Sequence, residues 1–84
     1  MTNEVTVRYF AAARAAAGLE SETVHVQPDT TIGDLVTTLG ARGPRLAVVL
    51  ARCSFLCDGV AVRDLRTALG TRATVDVLPP FAGG

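Results

Sequence analysis

The sequence predicts an α+β roll, a mixed sheet covered by one main helix. Three observations carry that expectation. Both ends of the chain alternate and are rich in β-formers, at Glu4-Val5-Thr6-Val7-Arg8-Tyr9-Phe10 and at Ala73-Thr74-Val75-Asp76-Val77-Leu78. Between them Ile32, Leu35, Val36 and Leu39 recur at i, i+3, i+4 and i+7, one apolar helix face. The length, 84 residues, suits one small domain with a thin core.

The elements follow in order. The first strand places Val5, Val7 and Tyr9 on one face, and Arg8 and Phe10 on the other. Ala11 to Ala17 has high helix propensity and Gly18 can stop it, so a short helical turn is expected. Glu22-Thr23-Val24-His25-Val26 reads as a second strand ended by Pro28, with His25 pointing away from its flanking valines into solvent. Thr31-Ile32-Gly33-Asp34 fits a capping box for the main helix, which Gly40 or Gly43 can end. Leu46 to Ala51 is apolar but short, and fits either a helical turn or a loop leading to a strand. Ser54-Phe55-Leu56-Cys57 is a strand, Asp58-Gly59 a hairpin turn, and Val60-Ala61-Val62 the return. Arg63 to Gly70 connects to the last strand, with one helical turn expected around Leu65 and Leu69. Pro79-Pro80 ends that strand, because proline cannot donate to a ladder.

Composition excludes several classes of function. Net charge is zero, whereas a general nucleic-acid or anionic-membrane binder carries a strong basic excess. No stretch is long enough to span a bilayer, and no basic segment marks the N-terminus as a secretory signal, so the expected location is the cytoplasm. Cys53 and Cys57 lack the spacing of a redox or zinc motif and read as small, half-buried thiols; no metal site is expected. All eight basic residues are arginine. GC-rich codon usage accounts for this together with the abundant alanine. The physical consequence is the same whatever its origin: only the N-terminal amine remains as an internal amine target.

The end of the chain carries the functional signal. Residues 1–78 read as the folded domain and 79–84 as an extended, flexible tail, Pro79-Pro80-Phe81-Ala82-Gly83-Gly84. Two prolines favour extended geometry, and six residues beyond Leu78 reach at most about 20 Å. Gly83 and Gly84 let the backbone enter a channel that would exclude a side chain. A terminal carboxylate is ionised at neutral pH and can attack the α-phosphate of ATP, giving an acyl-adenylate open to a sulfur nucleophile. The product is a C-terminal thiocarboxylate.

This ending resembles the Pro-Pro-x-Ala-Gly-Gly tail of the MoaD/ThiS family of ubiquitin-like sulfur carriers, in particular its molybdopterin synthase branch. Val7-Arg8-Tyr9-Phe10-Ala11 with Arg14 and Gly18 resembles the family's strand followed by Phe-Ala-x-x-Arg and a later glycine, and Thr31-Ile32-Gly33-Asp34-Leu35 its helix opening. The resemblance implies a β-grasp (ubiquitin-like) roll with first and last strands side by side. It implies adenylation of Gly84 by a MoeB-type adenylyltransferase that uses ATP, no cofactor bound to this chain, sulfuration from a sulfur-donor protein, and insertion of the tail into a MoaE-type large subunit. That large subunit would hold the pterin site, where the thiocarboxylate would supply sulfur to cyclic pyranopterin monophosphate. Phe10, Arg8 and Arg14 are candidate partner contacts, and Phe81, where smaller residues are more common, a candidate anchor. Two further departures are Thr71-Arg72-Ala73-Thr74 in place of Gly-Asp before the last strand, and Arg14-Ala15 in place of Arg-Glu. Alternatives are a carrier for a cysteine or thiamine-thiazole pathway, and a ubiquitin-like protein modifier.

Overall fold

The alternating N-terminal segment forms β1 (Asn3–Tyr9), and its inward residues Val5, Val7 and Tyr9 are essentially inaccessible to solvent. The computed structural model describes residues 2–80; Met1 and residues 81–84 lie outside them. The chain continues through α1 (Ala11–Ala17), β2 (Ser21–Val26), α2 (Ile32–Gly40), α3 (Pro44–Leu50), β3 (Ser54–Cys57), β4 (Val60–Ala61) and β5 (Arg72–Leu78). The strands form one mixed sheet in the order β2-β1-β5-β3-β4. β1 and β5 lie parallel at its centre, with Glu4 opposite Arg72 and Tyr9 opposite Val77, and the other pairings are antiparallel. First and last strands are thus neighbours, as expected.

The helices cover one face of the sheet. Ile32, Leu35 and Leu39 of α2 and Leu46 and Leu50 of α3 meet Val5, Val7, Ala73, Val75, Val77 and Phe55 in a single core. The capping box at α2 is complete: the Asp34 N–H donates to Thr31 Oγ1 and the Thr31 N–H to Asp34 Oδ2, both at 3.1 Å. Gly18 caps α1 in the left-handed region, at φ 74°, where its N–H reaches the Arg14 carbonyl. Asp58 and Gly59 both take positive φ, 51° and 83°, the two-residue hairpin turn their sequence announces. The Asp58 carboxylate also accepts the Thr74 N–H at 2.9 Å, tying the hairpin to β5.

Two segments differ from or complete the expectation. Of Leu46 to Ala51, open between helix and loop, Leu46 to Leu50 lie in α3 and Ala51 is its C-cap; Pro44 starts the helix directly after Gly43. The connection from Arg63 to Gly70 forms no helix; it contains a turn at Leu65-Arg66 and one bridge between Ala68 and Thr31. Its carbonyls are used elsewhere. Thr67 and Leu65 accept the N–H groups of Ile32 and Gly33 at 3.0 and 2.8 Å, which satisfies two free donors at the start of α2. Leu69 is buried, while Leu65 is half exposed.

At the β2 side, the Tyr9 hydroxyl donates to Glu22 Oε2 at 2.8 Å, and Arg42, just after α2, donates to the same oxygen. Burial, then the bond to Glu22, holds the Tyr9 phenol far above its ordinary value, so it remains a donor. His25 is exposed, as its alternation predicts, with Nε2 3.8 Å from Glu4.

Urea titration of two variants tests this assignment of roles. Thr31→Ala should lower the unfolding free energy by about 1 kcal/mol, the worth of an N-cap. Leu35→Ala should lower it by about 2–5 kcal/mol, the range for a buried leucine truncated to alanine. Equal losses at the two positions would contradict the placement of Leu35 in the core.

Candidate functional site at the root of the tail

β5 is paired on both flanks, with β1 on one side and β3 on the other, so the point where it ends is held from two directions. Ser54 stands opposite Leu78, and the Phe10 N–H reaches the Val77 carbonyl at 3.3 Å. Pro79 then leaves the ladder half-buried and Pro80 is exposed. With Ala12 of α1, Val48 and Val49 of α3, and Arg52, the two prolines line an apolar groove of about 360 Å³. The predicted insertion residues Phe81, Ala82 and Gly83, and the predicted reacting residue Gly84, lie outside the described residues.

The other three predicted contacts converge beside this exit. Arg8, Phe10 and Arg14 line one cleft with Tyr9, Glu20 and Ser21, of about 240 Å³. Alternation explains the first two: with Val7 and Tyr9 turned into the core, Arg8 and Phe10 face the uncovered side of the sheet. Phe10 is 40% exposed, and the Arg8 guanidinium lies 5.9 Å from its ring centroid, within cation–π reach. Ala11 follows at φ 49°, a left-handed alanine that turns the chain sharply into α1 and costs about 1–2 kcal/mol. Arg14 comes one helical turn later, its N–H bonded to the Phe10 carbonyl.

Sequence reasoning missed the centre of this face. Arg8 forms a two-pronged bond with Asp76 across the parallel pair, Nε to Oδ1 at 2.6 Å and Nη2 to Oδ2 at 2.8 Å. Asp76 is the buried charged residue of the described chain, 7% exposed. The fork and the carboxylate's charge raise the Arg8 pKa further above its already high ordinary value, so the guanidinium stays protonated. Register adds two apolar neighbours. Leu56 stands opposite Asp76, and Leu78 follows Val77 on the outward side; both are half-buried. The available signal was the outward position of one opposite charge in each terminal strand, together with the expected pairing of those strands.

Both cysteines are free and half-buried. The Cys53 thiol donates to the Val49 carbonyl at 3.2 Å. Burial pushes both thiols up, with the Asp58 charge adding to the effect at Cys57. Among the described residues no group of three or more His, Cys, Asp or Glu is placed to hold a metal ion, and no helix is long and apolar enough to cross a membrane. This end of the domain can therefore hold and present a chain end and offer a mixed apolar and charged face.

Comparison with known proteins fits this geometry. The ThiS family model matches residues 7–84. A molybdopterin synthase sulfur carrier subunit from Chlamydomonas reinhardtii is 30% identical over 82 residues, covering 96% of this chain and 99% of the relative. The solution structure of a Haloferax volcanii protein superposes with a TM-score of 0.85 at 33% identity, covering 99% of this chain and 88% of the other. SAMP1 from the same organism superposes at 0.84 with 26% identity, covering 98% of this chain and all of SAMP1.

Two measurements test the site. Arg8→Met should lower the unfolding midpoint because it leaves the Asp76 carboxylate buried without its partner, and Arg8→Met/Asp76→Val should recover most of the loss. A double variant no better than the single would show that Asp76 does not depend on Arg8. Alkylation by iodoacetamide near pH 7.5 should be several-fold slower in the native protein than in urea, because raised pKa values lower the thiolate fraction. Equal rates would contradict the burial of the thiols.

Proposed function

The chain belongs to the ThiS family, and from that premise we propose that it is the sulfur carrier of a molybdopterin synthase, with Gly84 as the residue that bears the sulfur. The observation that carries the reading is the doubly paired β5. It runs into Pro79-Pro80 at the edge of the Arg8–Asp76 face and leaves four further residues, Phe81-Ala82-Gly83-Gly84, for delivery. In this reading residues 1–78 are the docking domain and 79–84 the arm.

The chemistry proceeds in balanced steps. A carboxylate oxygen of Gly84 attacks the α-phosphate of ATP on a MoeB-type adenylyltransferase, and pyrophosphate leaves. A persulfide on a donor protein attacks the acyl carbon and AMP leaves; a second thiol then attacks the donor-side sulfur of the resulting acyl disulfide, so that the donor departs as a disulfide and the thiocarboxylate is released. The arm then enters a MoaE-type large subunit, where the thiocarboxylate sulfur bonds to cyclic pyranopterin monophosphate and water attacks the acyl carbon, breaking its carbon–sulfur bond and regenerating the carboxylate. This chain contributes the sulfur, the reach and the docking face. ATP serves the activating enzyme, and no cofactor resides on the domain. These reactions belong to the cytoplasm. Phe10 and Leu78 with the Arg8–Asp76 pair form the contact face, Arg14 its rim, and Phe81 an anchor in the partner.

The Chlamydomonas relative, named as a carrier subunit of that synthase, supports this reading over a cysteine or thiamine-thiazole carrier. The likeness to SAMP1, named in its orthologue as a small archaeal modifier protein, favours a second reading in which the activated Gly84 is joined to amines of other proteins. The first step is common to both.

Incubation with an activating enzyme, ATP and a sulfur donor should raise the intact mass by about 16 Da, sulfur for oxygen at the acyl carbon. One residue appended after Gly84 should abolish the gain, because it displaces the carboxylate by about 3.5 Å. No gain with a competent partner would refute the carrier reading. Adducts through Gly84 on many proteins, with no role in pterin sulfuration, would favour the modifier.

A further inference from the structure

Resting on an activated Gly84, we propose that the fold presents no amine acceptor to its own tail, so that an amine that takes the acyl group belongs to another molecule. The inference concerns which groups the fold places within the tail's reach.

After Pro80 four residues remain, able to span at most about 14 Å. Three cations stand around the exit. Arg52 lines the groove with Pro79 and Pro80, Arg8 is locked to Asp76 beside β5, and Arg14 lies on α1 in the cleft with Phe10. Each is a guanidinium, protonated at any pH the protein meets and without a free lone pair for an acyl carbon. The chain contains no lysine anywhere. A lysine at such a position would meet the tail at an effective concentration in the millimolar range, above that of an ordinary cellular partner.

Topology sets the start of β1 at the opposite end of the sheet from the exit. The chain enters β1 at Asn3, and the parallel register puts that end of the strand beside Arg72. Leu78 lies six residues farther along β5, about 20 Å away, and Pro79-Pro80 precede the residues that would have to turn back. The same span in an antiparallel pair would bring the strand's start to the exit. The nearest thiol, Cys53, adjoins Ser54, the partner of Leu78. Its hydrogen is bonded to the Val49 carbonyl and the residue is half-buried, so it presents little thiolate.

The consequence reaches beyond the single molecule. A second copy meets the same surface, so copies cannot be joined to one another through lysine, and the domain acts as donor only.

The test uses the full chain carrying a C-terminal thioester of mercaptoethanesulfonate at Gly84, made by intein cleavage. It needs no activating enzyme, so its outcome is independent of the sulfuration assay above. Capture would form an amide between the Gly84 acyl carbon and a lysine Nζ, break the carbon–sulfur bond and release the thiol with the amine's proton. At pH 8 the unaltered chain should yield only the hydrolysed acid by intact mass. Arg52→Lys or Arg14→Lys should accumulate a product lighter than that acid by one water, at least tenfold above the unaltered chain. Unchanged circular dichroism will show that each variant is folded, and Cys53→Ser in each background removes exchange through the thiol. The inference is overturned if the unaltered chain forms the dehydrated product or a covalent dimer as fast as the lysine variants. It is equally overturned if neither lysine variant forms either.

Discussion

The parallel pairing of β1 with β5 is the constraint on which the rest depends. It joins residues near opposite ends of the sequence, and everything from Phe10 to Thr71 is the connection that makes it possible. A parallel pair requires such a crossover, and here α2 lies over the sheet and seals Val5, Val7, Val75 and Val77 from water. The core residues of the two strands are mainly valine, with Ala73 the smallest, so the helices can sit close above the centre of the sheet. Because β5 is bonded on both sides, the residue that precedes the tail belongs to an interior strand of the sheet. The tail's origin is fixed by the sheet before any partner arrives.

The same pairing produces the contact face. With one side of both strands committed to the core, Arg8 and Asp76 meet on the other at a fixed register. A buried carboxylate demands a partner, and the planar guanidinium meets it with two bonds while leaving its outer edge and the neighbouring Phe10 open. Leu56 and Leu78 surround the pair with apolar surface. A protein docking there finds orientation from the charge and area from the hydrophobic groups, directly beside the chain that it must receive.

Much of this was legible in the residues. Alternation identified β1, β2 and β5 as strands and sorted the faces of β1 and β2, the Thr31–Asp34 box located α2, and Asp58-Gly59 located the hairpin. These signals are local, which is why they could be read. The segment from Arg63 to Gly70 looked helical around Leu65 and Leu69 because their spacing suits a turn of helix. It is held instead by bonds from its carbonyls to Ile32 and Gly33, and such tertiary demands leave no local pattern. α3 was ambiguous because seven residues contain too few turns for its period to stand out, and the start that Pro44 provides after Gly43 went unread. The Asp76 partner lies 68 positions away, so it emerged only once the parallel register was known. The predicted residues Arg8, Phe10 and Arg14 were brought together, whereas the role of Gly84 rests on chemistry outside the described residues.

A domain of this size has little interior in which to build a reaction chamber, and in the proposed function its chemistry is completed on a partner. Geometry then restricts that partner. Four residues beyond Pro80 reach at most about 14 Å, so the partner's reacting centre must lie within that distance of the groove bounded by Ala12, Val48 and Pro80 when the outer sheet face is engaged. Docking and insertion are two contacts on one short tether, and each raises the effective concentration of the other. A longer arm would relax the requirement and weaken the coupling; a shorter one could not reach past the surface. Two prolines at the base restrict the arm's conformations before binding, which lowers the entropy lost on insertion. In the proposed function, selectivity among activating enzyme, sulfur donor and acceptor would therefore reside in the folded face, while the glycines at the tip would serve all of them alike.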